Sequence, residues 1–235
     1  MHDAHTLCEQ YPELVKWINF CEYTVPEIVL VFVGTAFWNV VYYIIIRNGF
    51  RNKYVEMPLP AAASNLAWEF TWGFLVTTDM GLLFVWGLRI WFFMDLFIFY
   101  TVLKYGAKQL SVPLFKKYHI AIEVACVLAW TVVFYFFIKG GYDTPMGATS
   151  AYVITVIMAA LYITFYLSSN QPGAYSFTSS WCKGLGNLLM SVFVFLKYPD
   201  MYFLQSLTVV VFILDLIYSI LLYRRKPMPT GEVSA

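Results

Sequence analysis

Long apolar runs recur along this chain of 235 residues, and each is long enough to cross about 30 Å of hydrocarbon as an α-helix. Hydrophobic residues make up 60% of the sequence and charged residues only 12%. A soluble domain averages about 25% charged residues, so this chain lacks the charge to cover a water-facing surface. The formal net charge of +1 also argues against a nucleic-acid partner. The sequence therefore predicts an all-α, polytopic membrane protein.

The apolar runs predict a bundle of seven transmembrane helices, at about 24–46, 60–78, 80–103, 119–138, 149–167, 179–196 and 202–223. The sixth span is the weakest, because Gly184 and Gly186 interrupt its start. Eleven Lys and Arg residues, among them Lys183, fall on one side of the spans and three on the other. Since positively charged loops favour the cytosol, the amino terminus is expected outside (lumenal) and the carboxyl terminus in the cytosol.

The predicted organisation has three parts: residues 1–22 as an amino-terminal surface segment, 23–224 as the helical bundle and 225–235 as a short cytosolic tail. The first segment carries hydrophobic residues at helical spacing, which predicts an amphipathic helix on the outer membrane surface. An unstructured tail is also compatible with it. Cys8 and Cys21 lie in this segment, and the sequence leaves open whether they pair.

Two parts of the sequence share local patterns that suggest an internal repeat. The third and seventh spans share Phe-x-x-Asp-Leu, at Asp95 and Asp215, and the second and sixth share Asn-Leu, at Asn65 and Asn187. Two parallel units of three helices, joined by the fourth span, would explain both matches. Coincidence in an apolar background is the alternative.

Three carboxyl groups lie inside apolar spans, at Glu69, Asp95 and Asp215. At 1.5 Å per residue, all three lie about 12 to 13 Å from the cytosolic ends of their helices. An ionisable group at membrane depth is costly and therefore marks a candidate functional site. We expect the three to form a polar floor under an apolar cavity, with at least one of them protonated as a general acid. Glu56 is expected to be a loop charge, and Glu123 a solvated residue near an interface.

Aromatic and amide side chains flank these acids. The predicted substrate-binding residues at this level are Asn39, Asn65, Trp68, Trp72, Trp91, Asp95 and Tyr218. A buried acid among aromatic faces suits carbocation chemistry, because it supplies a proton while the rings stabilise positive charge. The simpler interpretation is that aromatic residues fill space and asparagines join helices.

Three motifs occur in order along the chain: Asn65-Leu-Ala-Trp-Glu-Phe70, Arg89-Ile-Trp-Phe-Phe-Met-Asp95 and Asp215-Leu-Ile-Tyr218. In these motifs the chain resembles the small integral-membrane terpene cyclases of fungal meroterpenoid and indole-diterpene pathways, over essentially its whole length. The resemblance implies protonation-initiated cyclisation of a prenylated substrate, usually a terminal epoxide. It also implies that the two essential acids of that family fall on Glu69 and Asp215 as catalytic residues.

No metal and no other cofactor is expected, since the sequence shows neither an Asp-rich metal motif nor a Gly-rich phosphate loop. The expected partners are a lipophilic prenylated small molecule and membrane lipid. The location would be the endoplasmic reticulum membrane in a fungus, or the cytoplasmic membrane in a bacterium. The alternative function is a small-molecule transporter of three-plus-one-plus-three helices that uses the buried acids as proton or substrate sites.

Overall fold

The computed structural model describes residue 8, residues 10–169 and residues 171–224. These residues contain eight α-helices, numbered here in chain order, and no β-strand. The helices are α1 (Pro12–Trp17), α2 (Val25–Asn52), α3 (Leu59–Phe70), α4 (Leu82–Tyr105), α5 (Pro113–Lys139), α6 (Ala148–Ser168), α7 (Phe177–Lys197) and α8 (Tyr202–Tyr223). The predicted all-α architecture is confirmed.

Six helices, α2 and α4 to α8, are long and apolar enough to cross a membrane. They correspond to the first span and to the third to seventh spans predicted from the sequence. Their outward-facing side chains are largely apolar, including Ile90, Leu128 and Phe203. A surface of this kind is suited to contact with lipid. The chain is therefore a multi-pass membrane protein.

The second predicted span takes a different form. α3 has 12 residues and is followed by a π-helical turn, Thr71–Leu75. It is almost wholly buried, because α4, α5 and α6 pack around it. Ala61, Ala62 and Ala63 have small side chains that let these neighbours approach closely. α3 is thus the central helix of the bundle, and the count of seven spans stays a prediction.

The helix contacts follow the same pattern in the two halves of the chain. α4 packs against both α2 and α3, and α8 packs against both α6 and α7. The halves meet through two further contacts, α2 with α7 and α3 with α6, while α5 packs chiefly against α3. This is an arrangement that a three-plus-one-plus-three repeat would produce. The repeat itself stays a prediction.

The most extensive of these contacts joins α2 and α7, which cross at two glycines. A Cβ added to Gly34 would lie 3.2 Å from the carbonyl oxygen of Gly186, and a Cβ added to Gly186 would lie 2.9 Å from Trp38 Cδ1. α7 is continuous through this region. Gly186, which weakened the sixth predicted span, is therefore a packing contact and not a break.

In the amino-terminal segment, the short helix α1 buries no residue. Cys8 and Cys21 form a disulfide, and Asn19 Nδ2 donates a hydrogen bond over 2.7 Å to the carbonyl oxygen of Asp79, just before α4. The position of this segment on the membrane surface stays a prediction. The predicted tail, 225–235, lies outside the described residues.

Candidate active site

Glu69 lies near the end of α3 with only 1% of its surface exposed. Its Oε1 accepts hydrogen bonds from Tyr42 Oη and, over 3.1 Å, from Asn65 Nδ2. Asn65 precedes Glu69 by one helical turn, and its Nδ2 also donates to Asp95 Oδ2 over 2.9 Å. These four residues form one polar cluster, the Glu69 cluster, where α2, α3 and α4 meet.

Two carboxyl oxygens of the Glu69 cluster, Glu69 Oε2 and Asp95 Oδ1, are buried and have no hydrogen-bond partner among the described residues. Neither acid forms an ion pair with a described Lys, Arg or His. Two neighbouring carboxylates without a cation would repel each other strongly in an apolar setting. Electrostatics therefore favours an arrangement in which the cluster retains a proton.

A cavity of about 110 Å³ lies beside the Glu69 cluster. The lining is predominantly aromatic and aliphatic, and it comprises Trp38, Tyr42, Asn65, Trp68, Glu69, Phe84, Trp91, Met146, Gly147, Ala148, Ala151, Tyr152, Ile154, Thr155, Met158, Asn187, Met190, Phe193 and Val194. Among these residues Glu69 is the one carboxylic acid. The predicted apolar cavity over an acid is thus present at Glu69.

Three aromatic side chains border the cavity next to Glu69. The ring of Tyr42 stacks on that of Trp91, with centroids 6.0 Å apart, and meets Trp38 edge-on at 6.1 Å. Trp91 Nε1 donates to Asn39 Oδ1 over 2.6 Å. Asn39 therefore orients Trp91 from the outer face of α2. Rings placed in this way are able to stabilise positive charge in the cavity.

Trp68 is held by the first turn of α6, which the preceding loop supports. Its Nε1 donates over 2.8 Å to Ser150 Oγ, which in turn donates to Asp143. Asp143 Oδ1 also accepts hydrogen bonds from the backbone N–H groups of Thr149 and Ser150, and so caps α6. Burial raises the pKa of Asp143, and these hydrogen bonds oppose that shift. The cap thus fixes one wall of the cavity.

Asp215 lies in a second polar cluster and not beside Glu69. Its Oδ1 is paired with Lys183 Nζ, and its Oδ2 accepts a hydrogen bond over 2.7 Å from Asn187 Nδ2. Lys183 and Asp215 are 2% and 3% exposed, so this ion pair is buried between α7 and α8. The predicted single floor shared by all three acids is therefore wrong.

Lys183 was counted among the basic residues on the cytosolic side, but its side chain is buried inside the bundle. Lys183 lies on the face of α7 that packs against α8, where Asp215 compensates its charge. A count of basic residues beside each span cannot detect this, because it ignores the direction in which a side chain leaves its helix.

Nine residues were predicted to form the site, and the structure brings only some of them together. Those that line the cavity are Asn65, Trp68, Glu69 and Trp91. Asp95 lies directly behind Asn65, to which it is hydrogen-bonded. Asp215 is separated from the cavity by Asn187, which does line it.

The other three predicted residues support neighbours and are absent from the lining. Asn39 orients Trp91, and Trp72 packs against Gly147, at which an added Cβ would lie 2.5 Å from the indole. The ring of Tyr218 lies 5.9 Å from Lys183 Nζ. Contact of these three residues with a substrate stays a prediction.

Sequence reasoning missed Tyr42, Trp38 and Lys183. Nothing distinguished Tyr42 among the 18 tyrosines, whereas Lys183 stands one helical turn before Asn187 and gave a usable signal. Glu56 and Glu123, expected to be solvated, are 1% and 6% exposed. These residues were placed by depth alone, and depth does not give the rotation of a helix or the fold of a loop.

The fold and the site together define a multi-pass membrane protein with an apolar internal cavity and a buried carboxylic acid in its lining. Residues 19–226 match the model of the Pyr4-like transmembrane terpene cyclases, and the chain belongs to that family. It is thereby an enzyme of the terpene cyclase type, as the resemblance predicted.

Two fungal proteins are similar to the chain. The Pyr4-family terpene cyclase mfmH of Annulohypoxylon moriforme is 26% identical over 182 residues, which cover 75% of this chain and 74% of that protein. The terpene cyclase ascF of Acremonium egyptiacum is 34% identical over 76 residues, which cover 32% of this chain and 27% of that protein. No solved structure matches the chain. These similarities fit an enzyme of secondary metabolism and do not favour the transporter.

Proposed function

We propose that this membrane-bound terpene cyclase protonates a prenylated substrate that carries a terminal epoxide. Protonation starts a carbocation cyclisation in meroterpenoid or related terpenoid biosynthesis. The observation that carries the proposal is the state of Glu69, a buried acid in the cavity lining. Its Oε1 is held by two donors, while Oε2 has no partner among the described residues. A carboxyl group fixed through one oxygen offers the other for proton transfer.

The proposed reaction begins when the proton passes from Glu69 Oε2 to the epoxide oxygen. The bond between that oxygen and the more substituted carbon breaks, and the π electrons of the nearest alkene form a new bond to the electron-poor carbon. Further alkenes along the chain repeat this step. Loss of a proton, or capture by a nucleophile of the substrate itself, ends the cascade. None of these steps requires a metal ion or a diphosphate leaving group.

Glu69 suits the role of proton donor better than Asp215 does. Glu69 lines the cavity, whereas Asp215 is paired with Lys183 behind Asn187. Asp95 shares the amide of Asn65 with Glu69, so the two acids are able to hold one proton between them. A proton held in a site that excludes water is available to the substrate and protected from exchange with solvent.

The shape of the cavity supports the remainder of the cascade. A flexible polyprenyl chain must fold so that each alkene lies beside the next cationic carbon, and a rigid wall supplies that order in advance. Trp68 and Trp91 are each fixed by a hydrogen bond to their indole nitrogen. Their faces are therefore held in place to stabilise migrating positive charge.

We also propose how the enzyme lies in the membrane. α3 with its π-helical turn would be the seventh crossing, placing the amino terminus in the lumen and the carboxyl terminus in the cytosol. The shared contact pattern of the two halves supports a three-plus-one-plus-three repeat. Because the two similar proteins are fungal, the endoplasmic reticulum membrane is the proposed location.

The test is turnover of a panel of prenylated terminal epoxides by microsomes that contain the enzyme, with products identified by mass and NMR. Glu69→Gln keeps the shape of the side chain but removes the acidic proton. We expect turnover to fall by about 100-fold or more, the usual scale of general acid catalysis. Glu123→Gln is the matched control, because Glu123 is also a buried acid with an unpartnered Oε2 but does not line the cavity.

Turnover of Glu69→Gln near the wild-type rate would end the proposal. The transporter would be favoured instead if proteoliposomes with the wild-type protein moved a compound of this panel across the membrane without changing its mass, and formed no cyclised product.

A further inference from the structure

Asn187, Asp215 and Lys183 form a cluster, the Lys183 cluster, that the proposed reaction does not use directly. Lys183 Nζ is paired with Asp215, and it lies 5.2 Å from the ring centroid of Tyr162 and 5.9 Å from that of Tyr218. Burying two charges is costly and is tolerated only where each has good partners. Stability alone is a weak reason to keep such a pair, because apolar side chains of similar volume often serve as well.

The Lys183 cluster matches the Glu69 cluster in one respect and differs from it in another. In both, an asparagine Nδ2 donates to the Oδ2 of an aspartate: Asn65 to Asp95 over 2.9 Å, and Asn187 to Asp215 over 2.7 Å. The next polar residue is a carboxylic acid in the first cluster and an ammonium group in the second. The first cluster is thus suited to hold a mobile proton and the second to hold a fixed charge.

The fixed charge determines which way the Asn187 amide faces. A carboxylate accepts hydrogen bonds and donates none, so an ionised Asp215 requires the NH₂ group of Asn187 on its side. The amide oxygen then faces the other way and accepts a hydrogen bond over 3.1 Å from Trp38 Nε1. A protonated Asp215 would allow the amide to turn, and its NH₂ group would then oppose the indole N–H as a second donor.

Trp38 connects this arrangement to the chemistry of the cavity. Both Trp38 and Asn187 line the cavity, and Trp38 packs edge-on against Tyr42, whose hydroxyl group donates to Glu69. A turned Asn187 would release the indole of Trp38 and disturb the ring beside the proton donor. The chain of contacts therefore runs from the ammonium group of Lys183 to the cavity wall that would surround the carbocation of the proposed reaction.

We infer that Lys183 is a positioning residue: it keeps Asp215 ionised, and Asp215 through Asn187 fixes the indole of Trp38 in the cavity wall. The expected effect on product formation rests on the proposed cyclisation, whereas the expected effect on the position of Trp38 does not. Lys183→Met removes the charge and retains much of the length of the side chain. Lys183→Arg retains the charge. Lys104→Met is the matched control, since Lys104 lies on α4 and contacts Tyr100 at the surface.

The first measurement is the indole N–H NMR spectrum of the ¹⁵N-tryptophan-labelled protein in detergent. The Trp38 peak is the one that disappears in Trp38→Phe. We expect it to move upfield in Lys183→Met, because the hydrogen bond to Asn187 is lost, and to stay in place in Lys183→Arg and Lys104→Met. An unchanged Trp38 peak in Lys183→Met would overturn the inference.

The second measurement is the ratio of incompletely to fully cyclised product, which does not depend on how much enzyme is folded. We expect this ratio to rise by about fivefold or more in Lys183→Met and in Trp38→Phe, with little further increase when the two are combined, since they act on one chain of contacts. A wild-type ratio in Lys183→Met would overturn the catalytic consequence of the inference.

A double variant controls for misfolding, because Lys183→Met alone leaves Asp215 as a buried, unpaired acid. Lys183→Met combined with Asp215→Leu replaces the pair with apolar groups and should fold. The same peak shift and product ratio are expected from it, and wild-type values would again contradict the inference. If the Trp38 peak moves but the wild-type enzyme cyclises no substrate, the positioning stands and the proposed function fails.

Discussion

Buried acids in this chain differ in the partners that satisfy them, and the partners determine what each acid is able to do. Asp215 has a cation, Asp143 has backbone N–H groups, and Glu69 has neutral donors on one oxygen only. The first two are held as acceptors with fixed geometry. Glu69 retains an oxygen that no described residue engages, which is the state a proton donor requires.

Glu56 offers a test of burial that is independent of catalysis. It lies in the loop between α2 and α3, accepts a hydrogen bond over 3.1 Å from the backbone N–H of Ser176, and is 1% exposed. Burial raises the pKa of Glu56 to about 7, above the 4.5 of an exposed glutamate. Because the folded state favours the protonated form of Glu56, the contribution of this group to the free energy of unfolding is greatest below about pH 4.5. That contribution is lost as the pH rises through about 7.

We therefore expect Glu56→Gln to remove part of the pH dependence of stability. Between about pH 5 and pH 8, wild-type protein should lose up to roughly 3 kcal/mol of unfolding free energy relative to the variant. The measurement is thermal unfolding of both proteins in one detergent across this pH range. Glu13→Gln, at an exposed acid on α1, should follow the wild type. Parallel curves for wild type and Glu56→Gln would refute the expectation.

At the scale of the elements, α2 and α7 show how small residues position large ones. Gly34 and Gly186 bring the two helices close together, and Trp38 packs directly on Gly186. The indole then reaches Asn187, the next residue of α7. A larger residue at 186 would move this indole before it affected anything else in the cavity.

Gly186→Ala tests this contact against the usual effect of alanine in a helix. Alanine is favoured over glycine in helices by about 0.5–1 kcal/mol. Overpacking against Trp38 Cδ1 and the Gly34 carbonyl oxygen should outweigh this gain and cost about 1–3 kcal/mol. Gly87→Ala on α4 has nothing within 4 Å of the new Cβ and should be neutral or stabilising. The measurement is thermal unfolding of both variants and the wild type. Equal stabilisation by both substitutions would show that the α2–α7 contact is loose.

Six helices were predictable because an apolar run of sufficient length is a local property of the sequence. α3 was predicted as one more transmembrane span, at 60–78, and the sequence did not reveal that its alanines and buried polar residues place it at the centre of the bundle. The burial of Glu69 and Asp215 also followed from their positions within apolar runs. Their assignment to separate clusters did not, because rotation about the helix axis depends on neighbours distant in the sequence. The burial of Lys183 was missed for the same reason.

At the scale of the whole molecule, the cavity is built from both halves of the chain. α2, α3 and α4 contribute the Glu69 cluster, and α6 and α7 contribute the opposite wall. The two Asn–Asp hydrogen bonds are alike, yet one half carries an additional acid and the other an additional base. In the proposed reaction, such a division would let one half hold a proton while the other keeps the wall rigid.

The number of membrane crossings decides on which sides the two termini lie. Seven crossings put them on opposite sides, whereas six, with α3 as an internal helix that does not cross, would put them on the same side. With Lys183 moved into the bundle, ten basic residues remain on the predicted cytosolic side against three on the other. The disulfide between Cys8 and Cys21 fits an oxidising compartment at the amino terminus.

We expect a glycosylation acceptor fused to the amino terminus to be modified in eukaryotic microsomes, and the same acceptor fused to the carboxyl terminus to stay unmodified. Thiol-reactive, membrane-impermeant reagents should label Cys8 and Cys21 only after reduction and only from the lumenal side, because both lie in the segment before α2. Glycosylation at both termini, or at neither, would mean an even number of crossings. α3 would then be a helix inserted among the other six, and Glu69 would be carried by an element that never reaches the far side of the membrane.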